Sequence, residues 1–256
     1  MLKVERYRCI EEMLEKKEVV SVSEIEKALN ISRATIYRDI KDLSQSGALQ
    51  TVRGGISKWS SPSLLLEESI YSDKLRKNTE EKVRIAEYAA SLIDSSMTVF
   101  LDSSTTVFGM CPFIKQKKDL LIITNDVRIA AEFSTATDIS VYVLGGWLRP
   151  NFYTLRDRTY KEVLADISID LAFFSCDAIT PKRGCMITND DEVLLKKEII
   201  NISSKNYVLS DHSKFNKTAF IAFSALDAFD KIISGIELDE EYAENFHVKG
   251  INLVLV

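Results

Sequence analysis

Residues 32–46 read Ser-Arg-Ala-Thr-Ile-Tyr-Arg-Asp-Ile-Lys-Asp-Leu-Ser-Gln-Ser. Ser32 suits the N-cap of a helix, Ile36, Ile40 and Leu43 recur at helical spacing, and Gly47 suits the stop. With Ile36 turned inward, a rotation of about 100° per residue points Ala34, Tyr37, Arg38 and Lys41 outward and leaves Arg33 and Thr35 in the first turn. The stretch is predicted to be a helix with an apolar back and a donor-rich front. Upstream, Ser21 with Glu24 three residues on has the form of a capping box, opening a helix that carries Val22, Ile25 and Leu29 inward before Asn30-Ile31 turns the chain. Further out, Val4, Tyr7, Ile10 and Leu14 predict a first helix. On the other side Ala48–Arg53 and Ile56–Trp59 are extended pieces joined by Gly54-Gly55, a pair suited to a hairpin turn.

Three short helices and a hairpin, in that order over residues 1–59, predict a winged helix-turn-helix whose third helix enters a major groove. Arg38 is the first candidate for a guanine contact and Tyr37 for a backbone or thymine-methyl contact. Ser32 and the open N–H groups of the first turn, flanked by Arg33, Ala34 and Thr35, suit a phosphate. Lys41, Arg53 and Lys58 add positive charge toward neighbouring phosphates. The expected partner is a double-stranded DNA operator. A single reading helix makes few base contacts, so a homo-oligomer, dimer or tetramer, on repeated half-sites is expected. Residues 1–60 resemble the N-terminal domain of the DeoR family of bacterial repressors. The likeness lies in Glu5-Arg6, Val22-Ser23-Glu24-Ile25, the run Ser32 to Ile40, and Gly47-Ala48-Leu49 with Arg53-Gly54-Gly55. Tyr37 stands where that family usually has a second arginine.

The whole chain has 256 residues, 46% of them hydrophobic, and a net charge of −5. The first 60 residues hold 11 Lys and Arg against 9 Asp and Glu, a net +2, and the remainder carries −7, so the placement of the basic residues rather than bulk charge points to DNA. No apolar run is long enough to span a bilayer and no signal peptide opens the sequence, so a soluble, cytoplasmic protein without membrane partners is expected. Cys9, Cys111, Cys176 and Cys185 have no CxxC spacing, and His212 and His247 have no neighbouring cysteine, so neither a disulfide framework, a metal site nor a cofactor is expected.

Residues 60–78 shift to Ser, Pro and mixed charge and are predicted as a linker, with a connecting helix possible toward Leu75. From 79 to 256 the pattern alternates. After Asn78, taken as a cap with Glu81, comes an amphipathic helix carrying Val83, Ala86, Ala89, Ala90 and Ile93. Apolar, β-branched runs at Thr98–Leu101, Leu120–Thr124, Ile139–Leu144, Leu171–Phe174, Tyr207–Leu209, Lys231–Ser234 and Ile251–Val256 are separated mostly by helix-like segments. That alternation predicts an α/β domain built on a mostly parallel, helix-covered sheet.

Ligands of such sheets bind beyond the strand carboxyl ends. The hydroxyls and amides of Asp102-Ser103-Ser104-Thr105-Thr106 suit a phosphate there. Thr124-Asn125-Asp126, Leu144-Gly145-Gly146, Cys176-Asp177 and Asp211-His212-Ser213-Lys214-Phe215 complete a polar ring. Each candidate also has a plain structural alternative. Asp102 could cap a helix, Gly145-Gly146 could make a turn, and Glu192 with Lys196 could form a surface i,i+4 pair. The order of these motifs resembles the sensor domain of the same DeoR family, similar in fold to ribose-5-phosphate isomerase, which implies a phosphorylated sugar or related metabolite as effector. The resemblance assigns Asp102, Ser104, Thr105 and Thr106 to a phosphate loop, Asn125 to a second loop, and Gly145 and Gly146 to a third. It assigns Asp177 to an acidic loop, Glu192 and Lys196 to a helix pair, and Lys214 to a terminal lysine loop. Ser104, Ser175 and Ala178 replace glycines common in the family, and none stands near Leu155-Arg156. The function this implies is a ligand-controlled repressor of a carbohydrate-catabolism operon. A sugar-phosphate isomerase with Asp177 as base is the alternative.

Overall fold

A computed structural model describes residues 3–17, 19–45, 49–52, 55–58, 63–64 and 71–256, and its contacts divide the chain into two compact units, Met1–Ser61 and Pro62–Val256. The first unit runs α1 (Lys3–Lys16), β1 (Val19–Ser21), α2 (Val22–Leu29), α3 (Arg33–Gln45), β2 (Leu49–Val52) and β3 (Gly55–Lys58). β3 pairs antiparallel with both β1 and β2. The third strand β1 was not legible as such, and it explains Gly55: a Cβ there would lie 2.4 Å from the Val20 carbonyl oxygen, so only glycine lets β1 close on β3.

The predicted local signals form. Ser21 accepts from the Glu24 N–H at 3.2 Å while Glu24 accepts from the Ser21 N–H at 2.8 Å, the reciprocal capping box. Asn30 takes the left-handed conformation at φ 49° to end α2. Ile10, Leu14, Val22, Ile25, Leu29, Ile36, Ile40 and Leu43 meet in one buried core with Val20, Leu49 and Ile56. Val4, expected inward, is exposed, and the inner stripe of α1 starts at Tyr7. Gly47, Gly54 and Trp59 lie outside the described residues.

The second unit opens with β4 (Ser63–Leu64), α4 (Tyr71–Arg76) and α5 (Thr79–Ser91). It continues with β5 (Thr98–Leu101), α6 (Thr105–Phe108), α7 (Cys111–Ile114), β6 (Leu120–Thr124), α8 (Val127–Glu132), β7 (Ile139–Val143), β8 (Trp147–Leu148), β9 (Leu155–Arg156), α9 (Tyr160–Val163) and β10 (Ile169–Phe174). Then come β11 (Ala178–Thr180), β12 (Gly184–Ile187), α10 (Val193–Ile202), β13 (Ser203–Leu209), β14 (Lys217–Thr218), β15 (Ile221–Ser224), β16 (Lys231–Ser234), α11 (Glu240–Val248) and β17 (Leu253–Leu255). Seven strands form an all-parallel sheet in the order β17-β16-β13-β10-β5-β6-β7.

Alternate residues of the central strands feed two separate cores. Val99, Leu101, Leu171 and Phe173 face one, and Phe100, Ala172 and Phe174 the other. This is why the strands read as apolar runs without period-two alternation. The chain winds outward from β5 through β6 to β7, then returns to β10 beside β5 and winds the other way. The gap between the carboxyl ends of β5 and β10 is therefore the topological switch point, where such sheets place ligands.

Two details of α5 depart from the sequence reading. Asn78 makes no side-chain cap and is left-handed at φ 52°, donating instead to Asp211 Oδ1 at 2.8 Å. Glu81 is buried and accepts from the His212 N–H and ring Nδ1, each at 2.7 Å, so the expected 78–81 cap is spent on holding the loop after β13. Val83 is exposed, and Ile85 takes the inner position.

Candidate functional site

In the first unit the outer face of α3 presents Ala34, Tyr37, Arg38 and Lys41 to solvent, with Ser32 and Arg33 exposed and Thr35 half-buried at its start. Tyr37 is 59% exposed for a large aromatic ring. The back of the helix is pinned: Arg6 grips Asp39 through Nε at 2.6 Å and Nη2 at 2.9 Å, and Lys3 and Tyr7 donate to Asp42 at 2.7 and 3.0 Å. These bonds explain how acidic residues fit on a helix expected to approach phosphates: their charge is taken up by α1. Ser32 Oγ lies 3.0 Å from Thr35 Oγ1 and 3.4 Å from the Thr35 N–H. Arg33 is engaged by Glu26 at 2.8 Å. Arg53 and the side chain of Lys58 lie outside the described residues.

In the second unit a cavity of about 180 Å³ opens at the switch point. The turn after β5 contributes Ser103, Ser104, Thr105 and Thr106. The end of β10 contributes Ser175 and Asp177, and the loop after β13 contributes Asp211, Ser213 and Lys214. Glu192 and Lys196 enter from the start of α10, and Tyr71, Lys74, Lys77 and Lys82 from α4 and its junction with α5. Six lysines line the cavity, counting Lys217, against the carboxylates of Asp177, Glu192 and Asp211, so the chemistry it favours is an anion bearing hydroxyls.

Asp102 does not line this space. It is buried beneath it, where its N–H donates to the Phe173 carbonyl at 3.1 Å, its Oδ2 accepts from the Ser175 N–H at 3.0 Å, and it pairs with Lys196. The Asp102 side chain thereby ties the two strand ends at the switch point. The cap of α6 is Ser104, whose Oγ accepts from the Val107 N–H at 3.0 Å. Burial opposes the charge on Lys196, but Asp102 and Glu192 more than offset it and its pKa is raised. The Glu192–Lys196 pair, at 3.7 Å, is in the cavity wall rather than on the surface. Asp177 is also buried, which works against ionisation, yet Lys74, Lys214 and the Thr188 N–H hold its carboxyl below the usual range. Lys74 Nζ reaches Asp177 Oδ1 at 2.8 Å. Asp211 is lowered as well, burial being outweighed by Ser213, Lys214, Asn78 and Lys82, whereas burial lowers Lys82.

Asn125, Gly145 and Gly146 are not brought to the cavity. Asn125 is buried and donates to the Leu155 carbonyl at 3.2 Å. Gly146 has φ +136°, and a Cβ there would sit 2.2 Å from the Arg156 carbonyl oxygen, so this glycine serves the close packing of the β8–β9 hairpin. Gly145 is exposed beside it. The sequence reading missed Tyr71, Lys74, Lys77 and Lys82. Lys74 and Lys77 lie in the segment read as mixed charge and Lys82 in the first turn of α5, and nothing local indicated which element they would face. Glu81, Asp211 and His212 stand close enough to share an ion, but Glu81 accepts from the His212 amide and ring and Asp211 Oδ1 accepts from Asn78 and Ser213, an arrangement that braces the loop.

The family model of the DeoR C-terminal sensor domain matches residues 77–235, and an HTH domain model matches residues 6–57. The chain is 31% identical to the uncharacterized HTH-type transcriptional regulator FruR of Bacillus subtilis (strain 168), over 98% of each chain. It is 30% identical to the regulator IolR of the same organism, over 98% of this chain and all of that one. It is 28% identical to the transcriptional repressor GlcR, also of that organism, over 100% and 97%. Among solved structures, ribose 5-phosphate isomerase A from Methanocaldococcus jannaschii is similar over 54% of this chain and 55% of its own, at 14% identity and a TM-score of 0.40. No helix among the described residues is long and apolar enough to cross a membrane.

Proposed function

Given that the chain belongs to the DeoR family of transcriptional regulators and not to a family of enzymes, we propose that it represses a carbohydrate-catabolism operon in the cytoplasm and answers to a phosphorylated sugar. The relative GlcR, itself named a repressor, supports the direction of control. The observation that carries the reading is the pairing, in one chain, of an exposed donor face on α3 with a lysine-rich, hydroxyl-lined cavity at the switch point. Tyr37, Arg38 and Lys41 read or approach the duplex, while Ser32 and Thr35 meet a phosphate at the helix start. Arg33 joins them once it exchanges Glu26 for DNA, and Arg53 and Lys58 add backbone contacts. Two or four copies place several such helices on repeated half-sites. In the cavity Lys214 and the Ser104–Thr106 hydroxyls take the phosphate, and Asp177, Glu192 and Lys196 take the sugar hydroxyls. The effector favours one arrangement of the sensor over another and so shifts operator affinity.

A mobility-shift assay at defined salt, using the DNA upstream of the gene's own operon, tests this. Retardation should require Arg38 and respond to one of a panel of sugar phosphates. Equal affinity for operator and unrelated DNA, with no response to any of them, would sink the reading.

A further inference from the structure

The chain segment that follows the first unit is built into the wall of the anion cavity. β4 lies two residues past Ser61 and pairs in parallel with Lys217–Thr218, next to a lining lysine. α4 follows, packed on α6, and two further features of the described residues hold it. At its start Tyr71 is buried, its ring stacked under the Arg128 guanidinium at 3.3 Å and edge-on to Tyr153 at 5.8 Å, an anchor of apolar and cation–π character. Further along, two ammonium groups tie it: Lys74 Nζ to Asp177 Oδ1 at 2.8 Å, and Lys82 Nζ to the Lys74 carbonyl at 2.5 Å. Both lysines line the cavity.

We propose that α4 is a latch that the effector opens, with Lys74 and Lys82 exchanging their internal partners for the effector's phosphate. This rests on the sugar-phosphate reading of the cavity. A phosphate carries about −1.5 to −2 charges against the single charge of Asp177, so it outcompetes the carboxylate for a lysine within reach. The Lys74–Asp177 pair is open to the exchange, since the two side chains keep 21% and 12% of their exposure. Losing Lys74 does not orphan Asp177, which still accepts from the Thr188 N–H at 3.0 Å and its hydroxyl at 2.9 Å and is then free to take a sugar hydroxyl. The Lys74 carbonyl loses its lysine donor in the same step. With these ties moved to the phosphate, α4 keeps its Tyr71 anchor and shifts about it, and it is the first described helix after the DNA-binding unit.

Hydrogen–deuterium exchange on the full chain, with inorganic phosphate as the probe, tests the latch. Saturating phosphate should protect amides of 103–109 and 211–217 while raising exchange of 71–77 several-fold. In Lys74→Gln and in Asp177→Asn the 71–77 amides should exchange fast without phosphate, and phosphate should bind Lys74→Gln roughly tenfold more weakly, the size of one charge-assisted hydrogen bond. Lys214→Gln should weaken phosphate without loosening 71–77. Protection of 103–109 and 211–217 with 71–77 unchanged in wild type, or 71–77 exchanging no faster in both latch variants than in wild type, overturns the latch and leaves the cavity reading standing. No phosphate response anywhere overturns both. Circular dichroism on each variant separates loosening of α4 from unfolding.

Discussion

Each unit buries an ion pair next to its working surface, and the two are used differently. In the first, Arg6 and Asp39 form a two-pronged bridge with 15% and 3% of their side chains exposed, on the back of the helix whose front is proposed to meet DNA. In the second, Lys196 and Asp102 are 2% and 1% exposed, Lys196 in the cavity wall and Asp102 beneath it, where β5 and β10 end side by side. The first arrangement keeps structure and recognition on opposite faces of one helix, so each can change alone. The second makes the floor of the cavity and the stitching of the sheet the same atoms, so that pair cannot be altered without cost to the fold.

The sharpest way to break this contrast is to remove one acid from each pair. Asp102→Ala leaves a fully buried ammonium with its main partner gone and should lower the stability of the second unit by about 3–5 kcal/mol. Asp39→Ala leaves Arg6 partly hydrated and should lower that of the first by about 1.5–3 kcal/mol. Calorimetry resolving two transitions measures both, and equal losses would erase the distinction. Arg38→Ala probes the separated faces: operator affinity should fall by about 1–3 kcal/mol, roughly five- to 150-fold, with both melting transitions unmoved. A shifted first transition would mean that the front of α3 also supports the fold.

Acid should act on the second unit through its depressed carboxylates. Asp177 and Asp211 have folded pKa values below their unfolded ones, about 4, so their stabilisation is present above that value and is lost as pH falls through it toward the folded values. Asp177→Asn should therefore be destabilising near neutrality, and its deficit against wild type should shrink as the pH falls from about 5 to about 3. A deficit that stays constant with pH would show that the Lys74 and Thr188 bonds to Asp177 are not charge-dependent. The smallest expected effect is Ser21→Ala, about 1 kcal/mol from the first transition alone, for loss of the α2 cap.

The same contrast governs what could be read in advance. Ile36, Ile40 and Leu43 reveal the back of α3 by spacing alone, and Tyr37, Arg38 and Lys41 then fall on its front because helix geometry leaves no other place for them. The Ser21–Glu24 box is legible for the same reason, since both partners lie within four residues. Asn78 and Glu81 carry the same signature and fail it. The His212 and Asp211 groups that claim their side chains are more than 130 residues away in sequence. Asp102, Ser104, Asp177 and Lys214 were found at strand ends, but which of them line the cavity and which lie beneath it depended on the register of β5 against β10.

Sequence by itself determined the helix faces, the caps with local partners, the runs that become sheet strands and the chemical character of the turns after them. Those follow from periodicity and short-range hydrogen bonding, which act within a few residues. Tertiary structure alone decided that Lys74, Lys77 and Lys82 join the anion cavity, that Asp102 faces inward to Lys196, and that Gly145 and Gly146 stand apart. The reason is that a winding parallel sheet brings together strand ends separated by long crossovers, and the burial and charge of each side chain are set by what arrives there.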